Sequence, residues 1–232
     1  MSLPVALAVV TGASRGIGRA TALALSARGC ALALIGRPSR ELEAAQGACL
    51  AAGAPRVRLI HADLSDLAAT DRAGAELLSS EGAPQIVVHN AGEVHRAPIE
   101  RLTLDDWQHE IALNLSAPFA LTRALLPAMR ARRQGRILFV GSISSTLGTA
   151  SQSAYCASKW GVIGFMKSLA AELSDSNLMT AAVLPGSVET RMLEGSGFPP
   201  RMSAEDVART LTHLALDAPL SHNGGVVELF GV

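Results

Sequence analysis

The sequence predicts an α/β protein built on a doubly wound, seven-stranded parallel sheet with helices on both faces. Three observations carry this reading. Short apolar runs alternate with longer stretches of helical period along the whole chain. The runs are near-continuous in Val, Ile, Leu and Ala, as expected of strands covered on both faces. The first run leads at once into a glycine-rich turn that opens a helical stretch. Alternating strands and helices imply right-handed crossovers, and therefore parallel strands.

The strand candidates are Val5–Thr11, Ala31–Gly36, Val57–His61, Gln85–His89, Arg136–Gly141, Leu178–Leu184 and Val226–Leu229. Each is a run of four to eight residues, too short for a stable helix and bounded by polar or turn-forming residues. Between them, longer amphipathic stretches predict helices at Gly16–Arg28, Ser39–Ala52, Leu64–Ser80, Leu104–Arg132, Ser153–Ser174 and Ala204–Leu216. No repeat or linker interrupts the alternation. The one loose stretch is Glu194–Arg201, where Gly195, Gly197, Pro199 and Pro200 cannot continue a helix.

A length of 232 residues with 49% hydrophobic composition suits one large domain spanning residues 1–232. Twenty basic residues balance twenty acidic ones, which argues against a nucleic-acid or membrane-surface partner. Cys30, Cys49 and Cys156 are odd in number and lack metal-ligand spacing, so they read as reduced thiols and no metal site is expected. The apolar start is too short to span a bilayer and has no signal-peptide flanks. A cytoplasmic protein is the expectation.

Two local patterns point to chemistry. After the first strand, Thr11-Gly12-Ala13-Ser14-Arg15-Gly16-Ile17-Gly18 can bring backbone close to a pyrophosphate resting on the N-terminus of the next helix. Later, the only tyrosine, Tyr155, precedes Lys159 by four residues. That spacing puts both on one helix face, where an ammonium would favour ionisation of a phenol whose ordinary pKa is ~10.

Thr-Gly-x-x-x-Gly-x-Gly together with Tyr-x-x-x-Lys resembles the short-chain dehydrogenase/reductases, a Rossmann-fold family, and the resemblance runs over nearly the whole chain. It implies that Gly12, Ser14, Arg15, Gly16, Ile17 and Gly18 form the dinucleotide turn. Asp63 and Leu64 resemble the adenine-contacting pair, and Asn90-Ala91-Gly92 the Asn-Ala-Gly turn, with His89 where another Asn is common. Pro185, Gly186, Val188 and Thr190 resemble the turn that holds the nicotinamide end. Asn114, Ser142, Tyr155 and Lys159 match the catalytic set. By this resemblance Ser142 binds the substrate oxygen, Tyr155 transfers the proton, Lys159 lowers the phenol pKa and holds the nicotinamide ribose, and Asn114 fixes a water linking Lys159 to solvent. Ser144 and Ser145 are rivals to Ser142, which is favoured by its thirteen-residue spacing from Tyr155. His61, His89, His95 and His109 are expected in structural or solvent roles.

No carboxylate ends the second strand, where Ile35-Gly36-Arg37-Pro38 stands. With Arg15 and Arg37 available for a 2′-phosphate, NADP(H) is expected over NAD(H). Glu93, Val94, Gln152, Ser187, Met192, Leu193 and Phe198 are expected at the substrate mouth, with Glu194–Arg201 as a lid. Among relatives the pattern most resembles 3-oxoacyl-acyl-carrier-protein reductases, implying a small carbonyl or acyl-thioester substrate. Arg133, after Arg130 and Arg132, stands where an acyl carrier protein would dock, whereas Ser176 replaces a second expected basic residue. Alternatives are an NAD-dependent alcohol or steroid-type dehydrogenase and a dinucleotide-binding sensor without turnover. Excess apolar residues on the two long helices, among them Leu113, Phe119, Leu126, Ile163 and Phe165, predict a homodimer or homotetramer.

Overall fold

The computed structural model describes residues 5–231. The strands are β1 (Leu7–Thr11), β2 (Ala31–Gly36), β3 (Val57–His61), β4 (Ile86–His89), β5 (Gly135–Val140), β6 (Leu178–Pro185) and β7 (Gly225–Leu229). They form one parallel sheet in the order β3-β2-β1-β4-β5-β6-β7. The order reverses between β1 and β4, and an open α/β sheet binds ligands beyond the carboxyl ends of strands at such a point.

The helices are α1 (Gly16–Ala27), α2 (Arg40–Ala51), α3 (Leu67–Ser80), α4 (Leu104–Ile111), α5 (Ala117–Arg132), α6 (Ser153–Glu172) and α7 (Ala204–Leu216). Successive strand residues point to opposite faces, so neighbours in β1 serve different cores. Val10 joins Leu25, Leu32, Leu42, Val183 and Leu211 under α1, α2 and α7. Val9 joins Leu77, Leu121, Phe139, Val162 and Met166 under α3, α5 and α6. This is why the strands carry apolar residues in succession rather than in alternation.

Two expected helices start later than their apolar pattern suggests, because polar side chains cap them. Ser39 Oγ accepts from the Leu42 amide, so α2 begins at Arg40. Asp66 Oδ1 accepts from the Ala68 and Ala69 amides, so α3 begins at Leu67, and Asp63 and Leu64 lie in the preceding turn. Such caps satisfy N–H groups that a first helical turn leaves unpaired.

The expected continuous helix over Leu104–Arg132 requires correction. α4 stops at Ile111, a π-helical turn runs from Ala112 to Ser116, and α5 follows. Pro118 supplies the reason. It has no N–H for the carbonyl of Asn114 four residues earlier, and its ring would collide with that carbonyl in a regular helix. A wider turn relieves both. The run as a whole is long and apolar enough to cross a membrane by length and composition, but its Ala117, Leu121, Leu125 and Met129 are packed against the sheet.

His89 at the end of β4 is fully buried, stacked on Phe139 at 4.9 Å between ring centroids and hydrogen-bonded through Nε2 to Thr122 Oγ1 at 2.8 Å. Burial lowers its pKa from 6.5 to about 3. The native state therefore excludes a proton that the unfolded chain binds between those values. His89 thus costs no stability above pH 6.5 and progressively more as pH falls toward about 3. The expected penalty at pH 5.0 is about 2 kcal/mol relative to pH 7.5. Urea unfolding of wild type and His89→Asn at the two pH values checks this. The variant should lose that much less stability on acidification, and parallel losses would refute the assignment.

Candidate active site

The site begins at the seam between β1 and β4. Thr11 Oγ1 accepts from the backbone N–H groups of Asn90 and Ala91 at 2.9 and 3.0 Å. Asn90 Nδ2 donates back to the carbonyls of Thr11 and Gly12 at 3.0 and 3.1 Å. These four bonds lock the glycine turn onto the turn after β4. The fit leaves no space for side chains on the inner glycines. Gly12 has φ +67°, and a Cβ there would lie 2.8 Å from Ala91 Cα. A Cβ on Gly18 would lie 2.3 Å from the Gly12 carbonyl oxygen, so this glycine lets α1 press directly on the turn.

Arg15, at the N-cap of α1, makes no side-chain capping bond, and the first turn contains no acidic residue. The opening N–H groups of α1 therefore face the turn without a built-in anion. An uncapped helix N-terminus beside a glycine cradle suits a pyrophosphate. Apart from Gly18 and Asn114, every expected site residue lines a single cavity of about 910 Å³. Gly12, Ser14, Arg15, Gly16 and Ile17 lie along it, as do Arg37, Asp63, Leu64, Asn90, Ala91 and Gly92. Pro185, Gly186, Val188 and Thr190 line it from β6 and the following loop.

Asp63 is held by Ser65, whose amide and hydroxyl donate to Oδ1 at 3.0 and 2.7 Å. These bonds, with a smaller contribution from the Arg37 charge, keep its carboxyl below the usual range. Gly186 N–H donates to the Leu229 carbonyl, and Val188 bridges to Met202. The excursion between Val188 and Met202 is thus closed at its base. Met192, Ser196 and Phe198 reach the cavity from it. Arg96 fastens the same excursion through donations to the carbonyls of Met192 and Glu194 at 2.7 and 3.4 Å.

Ser142 is distinguished from its serine neighbours by what each hydroxyl does. Ser145 Oγ accepts from the Ser142 amide, and Ser144 Oγ bonds to Thr149 Oγ1. Both neighbouring side chains are buried, whereas Ser142 remains partly accessible from the cavity. The Ser142 hydroxyl also accepts from the Ser144 amide and caps the short 3₁₀ turn that follows β5.

Tyr155 and Lys159 share one face of α6, as their spacing requires, and both are buried. The Tyr155 hydroxyl points toward Met192 Sδ at 3.9 Å. Lys159 Nζ donates to the Val140 carbonyl at 2.9 Å and lies 5.6 Å from the Tyr155 ring centroid. The expectation that Lys159 lowers the phenol pKa is corrected by the structure, in which Lys159 is not among the groups that set it. Burial pushes the phenol above 10, opposed mainly by the Ser142 hydroxyl. Lys159 itself is brought down to about 8 by burial, with the Glu110 charge acting the other way. Desolvation outweighs charge at both groups.

Asn114 does not line the cavity. It sits in the π turn at 1% exposure, accepting from the Glu93 amide and donating to the Glu93 carbonyl and Ser158 Oγ. It therefore joins the Gly92–Val94 segment to α6. Of the other expected mouth residues, Glu93, Val94, Gln152, Ser187 and Leu193 line the cavity.

Several lining residues carry no motif. Glu41, in the first turn of α2 after the Ser39 cap, lines the cavity with Arg37. His109 lines it and pairs with Glu93 Oε1 at 2.5 Å, and Arg96 lines it from the segment after β4. Their sequence neighbourhoods hold only ordinary surface-type polar residues. They converge from α2, from the segment after β4 and from α4.

Comparisons with known proteins place the chain in a family. The family model for short chain dehydrogenase matches residues 6–197. A 3-oxoacyl-[acyl-carrier-protein] reductase from Synechocystis sp. is 33% identical over 234 residues, covering 97% of this chain and 94% of that protein. The Escherichia coli protein of the same description is 38% identical over 186 residues, 80% of this chain and 75% of that one. Nodulation protein G of Rhizobium sp. is 39% identical over 81% of this chain and 75% of its own length. The crystal structure of levodione reductase superposes with a TM-score of 0.90 at 27% identity, covering 97% of this chain and 96% of that one. The chain therefore belongs to the short-chain dehydrogenase family of oxidoreductases.

Proposed function

We propose that this protein is an NADP(H)-dependent carbonyl reductase whose preferred substrates are 3-oxoacyl thioesters. The observation that carries the reading is the cavity itself. A phenol, a hydroxyl and a buried ammonium meet at the carboxyl end of β5, and the same cavity continues to an uncapped helix N-terminus and two arginines. The residues fit a dinucleotide. The glycine turn and α1 would hold the pyrophosphate, Asp63 and Leu64 the adenine, and Pro185–Thr190 the nicotinamide end. When bound, the cofactor supplies or accepts the hydride.

The protein's own task is to place an oxygen and move a proton. Ser142 holds the substrate oxygen with its hydroxyl. Tyr155 donates its proton to that oxygen in reduction and takes it back in oxidation. Lys159 holds the nicotinamide ribose, while Asn114 keeps the Glu93 segment against α6. Replacing Tyr155 with Phe should reduce turnover by ~10²–10⁴ and leave dinucleotide affinity nearly unchanged. Steady-state kinetics with a β-keto thioester, together with cofactor titration, checks this. Turnover near the wild-type rate would remove Tyr155 from the role.

Arg15 and Arg37 favour a 2′-phosphate by charge-assisted bonds. NAD(H) is the second reading, favoured by Glu41 at the same end of the cavity. NADPH should have the lower Michaelis constant, and Arg37→Asp should narrow or reverse that preference by replacing attraction with repulsion. Equal Michaelis constants for NADPH and NADH in the wild type would defeat the NADP(H) reading.

The thioester preference and an acyl carrier protein partner rest on the descriptions of the relatives and on Arg133. Arg130 and Arg132 are directed onto the backbone carbonyls of Glu172 and Ala83. Comparing a carrier-linked 3-oxoacyl substrate with the corresponding free thioester tests the partner, and equal kcat/KM for the two would exclude a docking contribution. The setting we infer is the cytoplasm, consistent with three free cysteines. We further propose a homodimer or homotetramer assembled through α5 and α6. Phe119 and Trp160 are about half exposed, and Phe119 stacks edge-on against Phe165 at 5.9 Å. Sedimentation should give a dimer or larger at micromolar concentration, whereas a stable monomer would refute the assembly.

A further inference from the structure

Glu110 is a buried acid that no motif accounts for. Its residue is 1% exposed on α4, one turn before Asn114. One carboxyl oxygen accepts from the His95 amide at 3.0 Å. The other is buried without a hydrogen-bond partner among the described residues. A charge in such a place is costly unless another charge balances it.

α4 packs against α6, and the Gly92–Arg96 segment lies between them through the Asn114 and Glu110 bonds. A Cβ on Gly92 would stand 2.9 Å from Asn114 Oδ1 and 3.5 Å from Lys159 Nζ, so both side chains converge on this point. Charged and titratable groups surround Glu110 from several elements. Glu93 and His95 act from the segment after β4, and Asp106 from α4 itself. Burial raises the Glu110 pKa, and its ionised carboxylate, facing α6, would favour the ammonium of Lys159 and disfavour the phenolate of Tyr155. His95 pairs with Asp106 at 3.6 Å and His109 with Glu93 at 2.5 Å, so each imidazole has its own carboxylate. Arg96 and Cys156 also act on Tyr155. Lys159 has no carboxylate within salt-bridge distance among the described residues, and its ammonium donates only to the Val140 carbonyl.

We propose that Glu110 is a positioning residue for this site, the buried counter-charge that keeps the Lys159 ammonium protonated from the side of α4 and sets the acid–base balance between Lys159 and Tyr155. The expected consequence for turnover rests on the reductase reading: losing the carboxylate moves the pH–rate profile toward acid. The direct effect does not require turnover. Glu110→Gln keeps an acceptor for the His95 amide and removes only the charge, so a purely structural role predicts no change in either titration.

The chain suits a direct test because it has two lysines, Lys159 and Lys167, and one tyrosine. ¹³C labelling of lysine gives two Cε signals whose shifts follow protonation, and tyrosinate absorbance reports Tyr155 alone. In the wild type Lys159 should titrate near about 8. In Glu110→Gln its midpoint should fall by at least ~0.5 pH, with the second lysine signal, from exposed Lys167, as an internal control. The tyrosinate midpoint should fall as well, because the phenol ionises after Lys159 has lost its proton and then feels only the missing carboxylate. Superimposable Lys159 curves in the two proteins would overturn the proposal. If the variant does not fold, the wild-type curve decides, since an unbalanced buried lysine titrates at ~5–6. A Lys159 midpoint in that range would overturn the proposal, and one near about 8 would support it. Because these titrations need no substrate, absence of the proposed activity and absence of the counter-charge are read separately.

Discussion

The stitch between Thr11 and Asn90 is the constraint on which the site depends. Parallel strands diverge beyond their carboxyl ends, and at the reversal of strand order the connections from β1 and β4 leave in opposite directions. That divergence opens the cavity. It would also leave the two turns free to move apart without a local tie. The Thr11 hydroxyl and the Asn90 amide provide the tie with four hydrogen bonds to backbone groups. Gly12 and Gly18 then allow contact so close that any side chain would force it open.

The other end of the cavity obeys a different balance. Tyr155, Lys159 and Glu110 are all buried, and burial opposes the charged form of each. The ordinary proton affinities of a phenol and a lysine are nearly equal; here the phenol is raised above 10 and the lysine lowered to about 8, so burial drives the pair apart and makes Lys159 the weaker base. The counter-charge that limits the fall of Lys159 comes from α4 rather than from the helix bearing the pair.

Pro118 connects the backbone to this arrangement. By denying the Asn114 carbonyl its regular helical donor it separates α4 from α5 through the π turn. Asn114 then spans from the Glu93 backbone to Ser158, which in turn donates to the Tyr155 carbonyl at 2.7 Å. A break in a long helix thus becomes a brace between the segment after β4 and the helix that carries the phenol.

The sequence by itself determined the strand–helix alternation, the parallel sheet and most of the cavity lining. These follow from short-range rules: apolar runs must be covered on both faces, a glycine turn must sit where backbone approaches closely, and an i, i+4 pair must share a helix face. Tyr155, Lys159 and the residues around Gly12 were legible for that reason, whereas Ser142, Asp63, Asn90 and Pro185–Thr190 were legible through the family resemblance. Helix limits at Leu67 and Ile111 were less so, because an Asp66 cap and a Pro118 penalty act against an apolar period that continues through them. Tertiary structure alone decided the signs of the pKa shifts, since desolvation depends on what packs over a group from distant parts of the chain. It also decided the placement of Glu41, Arg96, His109 and Glu110. None of them belongs to a motif; Glu41, Arg96 and His109 meet at the cavity wall only in the folded chain, and the packing of α4 against α6 buries Glu110.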